Sequence, residues 1–146
     1  MAKMNTSHRY IFDAAPATLF RGRQLATITA TGNSDVVTLD QVLGYWTDTN
    51  ELADETLAVV INVESFDVSD ADETYVLTLE AGPVGFGSAV TIGTITVAAT
   101  GQHVILVDVP TLKLQGVTLA ALRVKATLGG TTPILGYSAF MTQIKA

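Results

Sequence analysis

Three stretches of the chain alternate apolar and polar residues with a period of two. Leu57, Val59, Ile61 and Val63 interleave with Ala58, Val60, Asn62 and Glu64. Tyr75, Leu77 and Leu79 interleave with Val76, Thr78 and Glu80, and Leu122, Val124, Ala126 and Leu128 with Arg123, Lys125 and Thr127. Successive side chains of a strand point to opposite faces, so each stretch predicts a strand with one buried face. Val59 and Ile61, Leu77 and Leu79, Ile105 and Val107, and Leu122 and Val124 are expected to form facing strips of one core.

Other stretches depart from that alternation in informative ways. Val90 and Ile92 lie on one parity and Ile95 and Val97 on the other, with Gly93 between them. One extra residue at a glycine is what a β-bulge produces. Residues 103–109 are apolar on both faces between Gln102 and Asp108, which predicts a central strand. Residues 134–144 read as a last long strand entered through Gly129-Gly130-Thr131-Thr132-Pro133. Residues 25–30 and 36–39 flank Gly32-Asn33-Ser34-Asp35, a cluster suited to a hairpin turn. A short helical turn fits within 112–121, but Gly116 and Thr118 oppose a long helix.

About eight strands separated by Gly, Asp, Asn and Thr turns predict an all-β fold, a two-sheet antiparallel β-sandwich. No β–α alternation supports a parallel sheet, and there is no Cys…Trp…Cys pattern of an immunoglobulin domain, which favours a jelly roll. The start of the chain has no sustained period, is broken by Pro16 and ends in Arg21-Gly22-Arg23. The expected organisation is an extended N-terminal arm over 1–23 and a sandwich over 24–146.

Composition agrees with this reading. The 21 Thr, 16 Val and 8 Ile of the 146 residues are β-branched, which favours strands over helices. Charged residues make up 15%, below the usual ~25%, which fits either a large core or a surface covered by partners. There is no cysteine, and hence no disulfide, thiolate metal site or cysteine nucleophile. That suits synthesis in a reducing cytoplasm. The first twelve residues have no apolar core of a signal peptide, and the apolar runs are strand-length, so neither a leader nor a membrane-spanning helix is expected.

Charge is unevenly placed. Residues 1–23 hold Lys3, Arg9, Arg21 and Arg23 against Asp13, a net of +3, while 24–146 hold four basic and thirteen acidic side chains, a net of −9. An acidic body repels phosphate, so no nucleic-acid partner is expected. A basic arm either docks on something acidic, such as a neighbouring copy, or is a solvated tail.

Candidate chemistry is sparse. His8 and His103 are the only histidines and neither stands in a nucleophile-elbow context, so no enzyme is expected. Asp67, Asp70, Asp72 and Glu73 share one loop but not the ligand spacing of an EF-hand. A solvated acidic turn is the expected reading, a weak divalent-ion contact the other. Gly82-Pro83-Val84-Gly85-Phe86-Gly87 follows a strand, but it contains no Lys and no helix follows, so the basis for cradling phosphate is missing. No cofactor is expected. Phe86 on that loop, and Tyr45 and Trp46 in the connection 40–55, are aromatics that the strand pattern does not dictate. Each is a contact anchor or a cap over the core.

The order of Tyr10-Ile11-Phe12-Asp13-Ala14-Ala15, Ala26-Thr27-Ile28-Thr29-Ala30-Thr31 and Val36-Val37-Thr38-Leu39-Asp40 resembles that of the small jelly-roll cement, or decoration, proteins of tailed-bacteriophage capsids. Asn50-Glu51-Leu52 before an apolar strand, and Val107-Asp108-Val109-Pro110 before the final strands, are similar to that family as well. The likeness covers 9–144 and lies in order and pattern. It implies a protein that binds the outside of a virion capsid and staples adjacent major capsid subunits. It also implies a small symmetric homo-oligomer, a trimer ahead of a dimer; the strand-length apolar runs leave no membrane partner to expect. Expected contact residues to capsid or sister subunits are Arg9, Tyr10, Phe12, Arg21, Arg23, Tyr45, Trp46 and Phe86. The alternative is a receptor- or carbohydrate-binding sandwich of a virion fibre or spike, with Tyr45, Trp46 and Phe86 as stacking faces.

Overall fold

The structure is a computed structural model that describes residues 19–23, 25–38 and 56–144. Among them are nine strands: β1 (Leu19–Arg21), β2 (Gly32–Asn33), β3 (Val37–Thr38), β4 (Thr56–Phe66), β5 (Thr74–Gly82), β6 (Val90–Thr96), β7 (Gly101–Asp108), β8 (Ala121–Gly129) and β9 (Leu135–Ile144). One short helix, α1 (Val109–Leu114), follows β7. The strands form two antiparallel sheets, an all-β sandwich. One sheet has the order β1-β9-β4-β7, and the other the order β2-β8-β5-β6 with β3 also paired to β8.

The pairing follows from the period-two pattern. Leu57, Val59, Ile61 and Val63 of β4 and Tyr75, Leu77, Leu79 and Ala81 of β5 are all buried, and with Leu122, Val124 and Ala126 of β8 they belong to one core. Ile105 and Val107 of β7 and Tyr137, Ala139 and Met141 of β9 complete it. The four strips expected to face one another, Val59 and Ile61, Leu77 and Leu79, Ile105 and Val107, and Leu122 and Val124, all lie in that core. The slip between Val90 and Val97 is a true bulge: Leu79 stands opposite Gly93 but Glu80 opposite Thr91, so Ile92 is the extra residue. Gly93 is required there by close approach, because a Cβ would fall 2.7 Å from Cγ2 of Ile105.

Four expectations change. First, the sheet begins earlier than expected. Leu19–Arg21 pairs with β9 and Phe20 is buried in the core, inside the stretch assigned to the arm; residues 1–18 lie outside the described residues. Second, Gly32 to Asp35 is not a hairpin turn. Gly32 and Asn33 pair with Ala126 and Lys125 of β8, and Val37 and Thr38 pair with the same strand further on. Ser34 bridges the gap: its amide donates to the Val124 carbonyl at 2.8 Å, and its Oγ accepts from the Val124 amide at 2.9 Å. A side-chain hydroxyl thus continues the ladder where the backbone cannot, and the 25–30 stretch contributes a single bridge, Ile28 to Leu135.

Third, among the described residues β7 is an edge strand, not a central one. Its second apolar row, Val104 and Leu106, is 53% and 57% exposed on the outward face. Fourth, helix α1 starts before the expected stretch. Asp108 stands just ahead of it and accepts a hydrogen bond from Thr111 Oγ1 at 2.7 Å. Gly116 at φ 77° closes it, with the Val117 amide donating to the Leu112 carbonyl. Among the described residues no helix is long and apolar enough to cross a membrane.

Leu77 is fully buried between the sheets. Leu77→Ala is expected to lower unfolding free energy by about 2–5 kcal/mol. Val84→Ala, at a residue 74% exposed, is expected to change it by less than about 0.5 kcal/mol. Urea denaturation of the two variants beside the wild type checks both.

Candidate functional site: a loop lock, a basic edge and a folded-back aromatic

At one end of the sandwich the loop between β5 and its predecessor, 67–73, meets the loop between β8 and β9, 130–134. Asp72 makes the principal join. Its Oδ1 accepts from the Thr131 amide at 3.0 Å and its Oδ2 from Thr131 Oγ1 at 2.8 Å. Asp70 Oδ2 accepts from Thr132 Oγ1 at 2.8 Å. Glu73 Oε1 turns back to the Asp70 amide at 3.0 Å, and Asp67 holds Ser69 through its amide and hydroxyl. Below them the Tyr75 hydroxyl donates to the Asp67 carbonyl and accepts from the Ile134 amide, while its ring meets Phe66 edge-on at 5.8 Å.

Asp67, Asp70 and Asp72 are therefore committed to hydroxyls and amides, and Asp70 and Asp72 lock the two loops together; Glu73 Oε2 is shielded, with no hydrogen-bond partner among the described residues. Among the described residues no group of three or more His, Asp or Glu is placed to hold a metal ion. Gly130, just before Thr131, serves the same contact. Gly130 has φ 90°, and a Cβ there would lie 2.4 Å from the Asp72 carbonyl oxygen. Hydrogen bonds from the Thr131 amide, then from its hydroxyl, hold the Asp72 carboxyl below its ordinary value of 3.8.

The expected contact residues fall into three groups. Arg9, Tyr10, Phe12, Tyr45 and Trp46 lie outside the described residues. Arg21 is committed within the fold: its Nε donates to the Tyr137 carbonyl at 2.8 Å, its Nη2 donates to the Ala26 carbonyl, and its guanidinium stands 5.1 Å from the Tyr137 ring centre. Burial pushes the Tyr137 hydroxyl's pKa up; Arg21 pulls it down and Asp35 adds to the rise. Arg23 is exposed in the turn after β1. It borders a hollow of about 120 Å³ shared with Leu19, Arg21, Ser138 and Phe140. The edge of the first sheet is therefore basic at β1.

Phe86 folds back onto the second sheet. Its amide donates to the Pro83 carbonyl at 2.9 Å in a tight turn, its φ is 56°, and its half-buried ring lies 4.2 Å below the Arg123 guanidinium. Arg123 Nε in turn donates to Glu80 Oε1 at 2.9 Å across β5 and β8. Phe86, Arg123 and Glu80 form one stack on the outward face, a contact between residues that the sequence keeps well apart.

His103 is half-buried on β7, and its Nε2 is shielded with no hydrogen-bond partner among the described residues. The chain matches no protein-family model, no curated protein and no solved structure.

Asp72 tests the loop lock through acid stability. A carboxyl with a lowered folded pKa stabilises above its unfolded value, and that contribution is lost as pH falls through the folded value. Asp72→Ala is expected to melt below the wild type at neutral pH, with the gap closing as pH falls below about 4. Gly130→Ala is expected to cost on the order of 1–3 kcal/mol, the usual penalty for backbone strain. Thermal melts across a pH series read the first effect, and urea titration at neutral pH the second.

Proposed function

We propose that the chain is a structural cement protein, which binds the outer surface of a bacteriophage capsid and staples adjacent major capsid subunits. The observation that carries this reading is the pairing order of the strands. β1 pairs β9, β2 pairs β8, β4 pairs β7 and β5 pairs β6. Those are the pairs of one long ribbon folded back between β5 and β6. The further pairs β4–β9 and β5–β8 are those made when such a ribbon rolls up. That arrangement supports the jelly-roll reading, an architecture recurrent in viral capsid domains.

The chemistry of the described surface agrees with binding by contact. Of the acids that invite a metal or acid–base reading, Asp70 and Asp72 are used to lock loops, and Arg21 and Phe86 are used to hold β1 and the 83–89 loop. Arg23, just past β1 at the edge of the first sheet among the described residues, is exposed and open to a partner. In this reading the N-terminal segment, with Arg9, Tyr10 and Phe12, reaches from that edge toward acidic surface on a capsid subunit or a sister copy. Tyr45 and Trp46 supply aromatic anchors. The protein is made in the host cytoplasm and resides on the capsid exterior.

Cryo-electron microscopy of the virion that carries the protein tests this directly. Density for the sandwich is expected on the outer shell, bridging major capsid subunits, at hundreds of copies per particle. A few copies on a tail or fibre would overturn the reading. In a binding assay with capsids lacking the protein, Trp46→Ala is expected to weaken attachment by about 2 kcal/mol, as loss of a central aromatic anchor does. Arg23→Glu should also weaken it while leaving the melting temperature unchanged. Full occupancy by Trp46→Ala, together with saturable glycan binding that this substitution abolishes, would point to a carbohydrate-binding module instead.

A further inference from the structure

Sheet edges offer unpaired backbone groups, and proteins blunt them by shortness, bulges, charge or proline. Three of the edges here are blunted in that way. β1 has three residues and a register shift, β2 and β3 have two residues each, and β6 carries the bulge at Ile92. β7 is different. It runs for eight residues in unbroken register with β4, from Gly101 opposite Val63 to Asp108 opposite Thr56. No strand among the described residues pairs with its other side.

Between Gln102 and Asp108 this edge contains no proline, no lysine and no acid. Its outward row ends in Gln102 and Asp108 and has Val104 and Leu106 in the middle, both more than half exposed. Toward the interior of the same sheet, Val104 is followed on its rung by Val60 and Phe140, so the apolar character continues inward from the edge. The outward face of the second sheet contrasts with it, since its β8 row carries Arg123 and Lys125.

We propose that β7 pairs antiparallel with β7 of a second copy about a two-fold axis at Ile105, joining the two four-stranded sheets into one. The register is set by the residues themselves. With Ile105 opposite its symmetry mate, Val104 of each chain lies beside the partner's Leu106, so four apolar side chains meet on one face. Gln102 then lies opposite the partner's Asp108, which keeps the two Asp108 carboxylates apart. For a chain of net charge −6, an approach along a strand with no acid in its middle also meets the least repulsion. Such a contact is isologous and closes on itself. The assembly is a dimer, in place of the trimer that the resemblance implies, and it stands independently of the capsid reading.

Sedimentation velocity of the full chain, over on the order of 1–100 µM, tests this. The wild type is expected to shift from monomer to dimer across the series. Val104→Lys alone and Leu106→Glu alone are each expected to raise the dissociation constant at least tenfold, with unchanged far-ultraviolet circular dichroism. Thr127→Glu, exposed on the other sheet, should leave dimerisation intact. An equimolar mixture of V104K and L106E should recover the dimer, because position 104 of one chain lies against position 106 of the other. A wild type that stays monomeric, a dimer indifferent to both substitutions, or a mixture that fails to pair would each overturn the proposal. Hydrogen exchange separates the causes: a monomer with protected β7 amides would mean that the chain itself covers this edge.

Discussion

Everything else in this molecule depends on two strands lying back to back, each turning an apolar row into the core. β4 turns Leu57, Val59, Ile61 and Val63 inward, and β5 turns Tyr75, Leu77, Leu79 and Ala81 inward from the opposite sheet. Each strand is also flanked on both sides, β4 by β7 and β9, and β5 by β6 and β8. A slip of one residue in either would exchange the inward row for Ala58, Val60 and Asn62, or for Val76, Thr78 and Glu80, and expose the core row to water. Register is therefore set by burial. Once it is set, the loops at the strand ends must meet where they do.

The loop lock follows from that placement. Tyr75 enters the core at the start of β5, and its hydroxyl reaches back to the backbone of Asp67 and Ile134. Asp70 and Asp72 then find Thr132 and Thr131 within hydrogen-bonding distance. A carboxylate receiving an amide and a hydroxyl is satisfied without a cation. Asp70 and Asp72 of this acidic loop thus serve the join between the two loops.

The core strands were legible because period-two alternation is a direct image of one-sided burial, as at Leu77, Leu79, Leu122 and Val124. The bulge was legible for the same reason, as a break in parity beside Gly93. β7 was misread because apolar residues on both faces signal burial on both faces in most sheets, whereas Val104 and Leu106 stand on an outward face at an edge. β2 was misread because Ser34 replaces a backbone group in the ladder, which composition records only as a turn-former. The loop lock and the Phe86–Arg123–Glu80 stack were beyond reach for another reason. Both ends of each contact were visible in the sequence, but nothing local says which distant segment meets which. Of the expected contact residues, Arg21 has the Tyr137 and Ala26 carbonyls as partners within the fold, and its place in the sequence does not reveal them.

The place of β9 governs how the chain can acquire its structure. This strand comes last in the described sequence, yet it lies between β1 and β4 and is, among the described strands, the only neighbour of β1 in the sheet. During synthesis β5, β6 and β8 can associate in order as they emerge, whereas Phe20 must wait for Tyr137, Ala139 and Met141 before its side of the core is enclosed. Pairings between distant parts of a chain are slow because loop closure must precede any gain from contact. Among the described strands, the apolar row of β4 therefore has β7 alone beside it in its sheet until β9 has been made, and this interval is when aggregation competes most strongly with folding.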